Sequence, residues 1–278
     1  MKTALLSSAL FSRTIPLRMF VTVIVTMAAL TATVARAEAQ TCAKPFFPGP
    51  ATAIDNSSCG LAGNGGAETN QNDAKNNFCP STGTAAPQPI TIADMVALQA
   101  KVQKDKTIPF GNTRTHPLTT KAGPAKNRAP LVALGEGKQV VLQGFVEDTR
   151  QEGAESVNCT KEFPSPDNDL FHDVHIYLVA EPGQAECTSV VAEMIPRHRP
   201  AAWTAKQVEA VGNAKLPVRV TGQLMFDSSH TPCQGSTPVS GDPARSSLWE
   251  IHPVYKFEVC PSGTCSAGGW VAIEAWKP

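Results

Sequence analysis

The sequence predicts a mainly β fold: a small five-stranded barrel with one inserted helix, preceded by an irregular cysteine-containing segment and one helix. Three observations carry this. Apolar residues change from a spacing of 3.6 to a spacing of 2 after residue 137. Five alternating runs then follow, with a single helical run between the third and fourth. Finally, 23 prolines and 20 glycines in 278 residues require many turns, while a 42% apolar share still allows a packed core. That composition excludes a wholly disordered chain, a coiled coil and a multi-span membrane protein.

Residues 1–39 read as a cleavable secretory signal. Lys2, Arg13 and Arg18 precede the uncharged run 19–35, and Ala35-Arg36-Ala37 and Ala37-Glu38-Ala39 offer small-x-small cleavage sites. The alternative is an uncleaved anchor at the lower length limit for a span. Cys42 follows Ala39-Gln40-Thr41, which lacks the residues expected before a lipidated cysteine. Without the leader, four basic side chains and Glu38 are lost, and 20 basic against 23 acidic groups leave a net charge of about −3. That sign argues against nucleic acid and anionic lipid as partners, and no stable membrane span is expected after cleavage.

Residues 40–89 form a Gly/Asn/Cys-rich irregular segment holding Cys42, Cys59 and Cys79. The other cysteines are Cys159, Cys187, Cys233, Cys260 and Cys265. Eight cysteines in an exported chain read as disulfides rather than metal ligands. Three precede the first helix and five follow it, so full internal pairing requires at least one bond between the two regions. Cys260–Cys265 is the one local candidate.

Residues 90–137 supply the helix and a connector. Thr91 caps the helix, Asp94 completes a capping box, and Ile92, Met95, Val96, Gln99 and Val102 follow helical spacing. From about 108 to 137 the chain reads as a polar, proline-marked connector. The barrel occupies 138–265. Its strands are expected at 138–148, 170–180, 188–195, 216–226 and 247–259, with Gly144 allowing the first to curve. A helix starts near Thr204, with Gln207 in a second capping box, and ends at Gly212-Asn213. A C-terminal extension, 266–278, adds a short edge strand within 269–276. Three strands, one helix and two strands is the order of an OB-like barrel.

The phrases GFVEDTRQEGAESVNC, CTSVVAEMIPRHRP, VRVTGQLMFDSSHTPC and SLWEIHPVYKFEVC, with CGLAG and AKNNFC upstream, resemble a family of uncharacterised exported bacterial proteins with an OB-like C-terminal domain. The resemblance implies export and a bacterial source. It brings no catalytic residue.

Familiar catalytic signatures are absent: no H-E-x-x-H, no G-x-S-x-G and no G-x-x-x-x-G-K-[ST]. Gly135-Glu136-Gly137-Lys138 precedes a strand and reads as a turn. Strand parity points His172 inward and places Asp173, His175 and Tyr177 outward. Glu193 lies outward on the next strand, and Glu250 and His252 outward on the fifth. Trp249, Ile251, Tyr255 and Phe257 are expected inward, with Pro253 marking a bulge or an edge. Asp173, His175, Glu193 and His252, with Glu250 nearby, can therefore meet on one surface. Such a set holds a divalent metal or acts as a general acid/base pair, or else is a solvated polar face. Otherwise no cofactor is expected.

Arg197, His198 and Arg199 form a candidate anion site in the loop after the third strand. Asp227-Ser228-Ser229-His230 sits too tightly in one turn for a catalytic relay. The reading that results is an exported, disulfide-stabilised binding or interaction module whose partner is a small molecule or a protein. Its expected ligand surfaces are the face of the second and third strands and the loops 149–169 and 227–246. The alternatives are a metal-assisted hydrolase using the Asp/His/Glu surface and a structural envelope component that binds proteins.

Overall fold

The computed structural model describes residues 49–65, 69–79, 86–108, 110–111, 124–164, 169–239, 244–265 and 267–278, with the side chains of 124–127 and 169 left aside. The expected leader, Cys42, residues 165–168 of the 149–169 loop and 240–243 of the 227–246 loop lie outside the described residues.

Seven strands and four helices are present among these residues: α1 Thr69–Lys75, β1 Gln88–Ile90, α2 Ile92–Lys104, α3 Pro124–Leu134, β2 Gln139–Gln151, β3 Val174–Val179, β4 Val190–Met194, α4 Ala205–Asn213, β5 Pro217–Phe226, β6 Trp249–Val259 and β7 Val271–Ala272. The sheet runs β1-β2-β3-β4-β6-β5, and β5 returns to β2 to close a five-stranded barrel. Only β4 and β6 run parallel within it. This is the OB arrangement, with α4 between its third and fourth strands. Among the described residues no helix is long and apolar enough to cross a membrane.

β2 closes the barrel by serving two neighbours. Its first half pairs with β5 from Gln139↔Gln223 to Phe145↔Pro217, and its second half pairs with β3 from Phe145↔Val179 to Gln151↔Val174. That second ladder carries β2 three residues past the expected end at 148. Gly144 sits where the strand turns. A Cβ there would lie 2.7 Å from the Val179 carbonyl oxygen, so no other residue fits without movement. β1 pairs in parallel with Val140–Leu142 of β2.

The inward residues make one apolar core. Leu142, Val174, Ile176, Leu178, Ala192, Met194, Val220, Phe226, Trp249 and Ile251 meet there. Val208 and Val211 of α4 and Met95 and Val102 of α2 join the same core. The Thr91 capping box forms, with Asp94 N–H donating to Thr91 Oγ1 (3.1 Å) and Thr91 N–H to Asp94 Oδ2 (2.9 Å). At α4 only half of the expected box forms. Gln207 N–H reaches Thr204 Oγ1, but the Gln207 amide donates to the Trp276 carbonyl.

Three expectations need correction. The irregular segment contains α1, whose sequence TNQNDAK has no apolar stripe to announce it. The connector contains α3. Pro130 lies inside it, and the helix is secured by Arg128, which forms a buried pair with Glu136 and donates to the Phe226 carbonyl. Tyr255 points outward, packing with Ile195 and Phe78. The ladder passes from Leu224↔Ile251 to Gly222↔Val254, so β6 carries an extra residue around Pro253 and its inside-outside alternation slips.

Disulfides join Cys59–Cys159, Cys187–Cys233 and Cys260–Cys265. Cys79 is also disulfide-bonded. The first is the cross-region bond that parity demanded, and the last is the local pair.

Candidate functional site

The outer face of β3, β4 and β6 is not open to water. An N-terminal cover, the described residues 49–65 and 69–79, lies across it. Gln71 of α1 donates to Asp227 Oδ1 (2.8 Å), Gln223 donates to the Ala74 carbonyl (2.9 Å), and the Tyr255 hydroxyl donates to the Asn77 carbonyl (3.0 Å). Asn72 and Asn76 hold the cover to the 156–157 turn. The Cys59–Cys159 bond closes a loop with a sequence separation of 100. In the chain-entropy picture a loop of that length is worth ~4–5 kcal/mol.

Beneath the cover the four outward residues meet. His175 and Glu193 are directly opposed across β3 and β4, with His175 Nε2 3.2 Å from Glu193 Oε1. His252 Nε2 lies 2.6 Å from Glu193 Oε2. One carboxylate thus bridges both imidazoles. Donor atoms of Asp173, Glu193 and His252 lie within 4.8 Å of one another, as do those of Glu155, Asp173 and His175 and those of Glu193, Asp227 and Glu250. Asp173, Glu193, Glu250 and His252 are 0% exposed and His175 is 4%. His172, expected at the inward face, is likewise buried.

The surrounding charges were not anticipated. Lys75 Nζ stands 3.2 Å from Asp227 and 3.7 Å from Glu155. Arg245 pairs with Glu250. His175 Nδ1 also faces Glu152 at 3.3 Å. Burial opposes charge on every member, and the neighbours decide the outcome. Burial alone would lower His175, but Glu193 and the carboxylates behind it raise it to about 9. Burial, with Glu155 and Glu193 adding to it, raises Asp173 to about 6. Glu193 is held well below the usual carboxylate range, because both histidines and Lys75 outweigh its burial. His230 is pushed down to about 4 by burial despite Asp227 at 3.5 Å.

This arrangement can hold charge, but a substrate cannot reach it while the cover is in place. A strongly paired His175–Glu193 couple is also poorly poised to exchange protons near neutrality.

The candidate anion site is corrected by the donors' partners. Arg197 is buried and donates to the carbonyls of Cys59 and Gly60, with Asp55 3.6 Å away. The His198 backbone N–H donates to Asp55 Oδ2, and Arg199 donates to the carbonyls of His172 and Met194. Arg197 and the His198 backbone fasten the cover, and Arg199 ties the loop to the barrel at His172 and Met194. In the turn after β5, the Ser228 hydroxyl donates to Gln71 and His230 faces Asp227. The geometry there is that of a brace for α1.

Two concavities stand out among the described residues. One, of about 180 Å³, lies between Gln151, Phe171, Arg199 and Trp203. A larger, shallower groove of about 580 Å³ crosses β2, β5 and β6, lined by Gln139, Gln143, Arg219, Thr221, Lys256 and Glu258. Arg219 makes two 2.8 Å bonds to Glu258, and its guanidinium lies 4.8 Å from the Trp270 ring centroid.

No family model and no curated protein matches the chain. A solved structure described as a putative aspartyl-tRNA synthetase from Leishmania major Friedlin is similar over 64% of this chain and 22% of its own, at 13% identity and a TM-score of 0.27. The chain thus spans about a fifth of that protein, and so low a score carries no argument.

Proposed function

We propose that the chain is an exported, disulfide-stabilised binding module that takes a neutral, polar small ligand, oligosaccharide in type, in the groove across β2, β5 and β6. The observation that carries this reading is the division of the barrel's outer surface. The β3–β4–β6 face is filled by the chain's own cover, while the β2–β5–β6 face keeps a groove in which Pro87, Val141 and Tyr255 stand among amide, hydroxyl, guanidinium, ammonium and carboxylate groups. OB barrels take oligonucleotides or oligosaccharides, and the acidic balance of the mature chain favours the uncharged class. Trp270 beside Arg219 adds a ring against which a sugar can stack.

Export is supported by the basic-apolar leader and by the disulfides. The hydrolase reading loses support because the polar cluster lies under the cover. A docking surface for protein partners loses support because the exposed large apolar residues Leu61, Val96, Val132, Leu170 and Val239 sit on separate segments.

Calorimetric titration with neutral oligosaccharides tests the proposal. Saturable binding is expected, weakened at least tenfold by Gln143→Ala with Arg219→Ala. Binding that ignores both substitutions, or no binding across the panel, overturns it.

A further inference from the structure

We propose that the closed face of the barrel is a metal centre: one divalent ion, Zn2+ in type, held by Asp173, Glu193 and His252 with His175 as the fourth ligand, and serving to fasten the N-terminal cover. The centre is independent of the groove and of any ligand there.

The first observation is Asp173. It is 0% exposed, and among the described residues neither carboxylate oxygen has a hydrogen-bond partner and no ion pair reaches it. A buried carboxylate in that condition is costly unless a cation completes it. His252 supplies the second. Its Nδ1 is 2.8 Å from the Lys75 carbonyl oxygen, which can only accept, so Nδ1 carries the proton. The other ring nitrogen, Nε2, then faces the carboxylates, 2.6 Å from Glu193 Oε2 and grouped with a donor oxygen of Asp173. Metal-bound imidazoles are oriented in this way, with the far nitrogen donating to a carbonyl.

Charge gives the third argument. The permanent cations are already engaged, Lys75 by Asp227 and Glu155 and Arg245 by Glu250. Neither makes a direct ion pair with Asp173 or Glu193, and the close contacts of Glu193 are the two imidazoles. Ligand atoms on one Zn2+ stand ~3 Å apart, given bond lengths of ~2.0–2.2 Å. The donors of Asp173, Glu193 and His252 already lie within 4.8 Å of one another, and His175 Nε2 is 3.2 Å from Glu193 Oε1. The wider gaps must close by up to ~2 Å and the 2.6 Å His252–Glu193 contact must open slightly. Two imidazoles with two carboxylates suit zinc better than calcium or magnesium, which prefer an all-oxygen shell. The carbonyl that orients His252 belongs to α1, so an ion here couples the cover to the barrel.

The test uses the full chain carrying its own leader, elemental analysis, and scanning calorimetry before and after chelation and Zn2+ return. About one Zn2+ per chain is expected. Its removal should lower Tm by on the order of 10 °C, with recovery on adding Zn2+ alone. Asp173→Asn, which keeps the shape, should weaken Zn2+ binding at least tenfold, while Glu258→Gln in the groove should leave it intact. A metal-free protein whose Tm ignores micromolar Zn2+ overturns the proposal. So does an Asp173→Asn chain that retains full Zn2+ binding, or one as stable as wild type before and after chelation. Should that variant not fold, the Zn2+ titration of the chelated wild type alone decides.

Discussion

The two sides of β3 show two ways of burying one strand. Ile176 and its inward neighbours belong to one continuous apolar cluster. His175, one residue away, meets Glu193, Glu152 and Glu155 beneath α1. Both sides are closed to water, yet they are held by different physics. The inner side gains from apolar area and tolerates small shifts, whereas the outer side gains only if each charge finds its counterpart. A barrel can thus be buried on both faces without being apolar on both.

Three substitutions sharpen this contrast. Ile176→Ala removes inner packing and should cost about 4 kcal/mol in urea unfolding, lowering the midpoint of a single transition. Lys75→Met leaves Asp227 buried without its cation and should cost about 3 kcal/mol. Its signature should be local: hydrogen exchange should quicken over residues 69–79 while β3 and β6 amides keep their protection. Equal quickening everywhere would mean the two sides form one cooperative unit.

The smallest effect belongs to the groove. Burial would raise Glu258, but its bonds to Arg219 and Lys256 hold it below the usual carboxylate range. Its contribution is therefore present above the unfolded pKa, near 4.3, and is lost as pH falls through the lower folded value. Because Arg219 is partly and Lys256 largely exposed, Glu258→Gln should cost under ~1 kcal/mol at pH 7, and the difference should vanish in strong acid.

Much of the inner side is legible in the sequence because a period of 2 needs only local information. The strands, the Thr91 cap and the Cys260–Cys265 pair all follow from residues close together in the chain. The meeting of His175, Glu193 and His252 was also legible, because strand parity and OB order together put them on one face. The cover was not. Its helix has no apolar stripe, and its partners lie up to 178 residues away, as Asn77 and Tyr255 do. Burial of the outward face therefore left no local mark. Arg197, read as an anion ligand, binds the cover for the same reason. Tyr255 was misplaced because alternation cannot count through the extra residue beside Pro253.

The Cys59–Cys159 bond makes the cover a tethered ligand. Its short connection keeps α1 near the polar face at an effective concentration of about millimolar or higher. An external molecule competing for that face must match this before it occupies half of the sites. Reduction of the bond would lengthen that tether rather than cut it, since the chain itself still joins α1 to β1, so the effective concentration of the cover would fall and a competitor would find the face easier to enter.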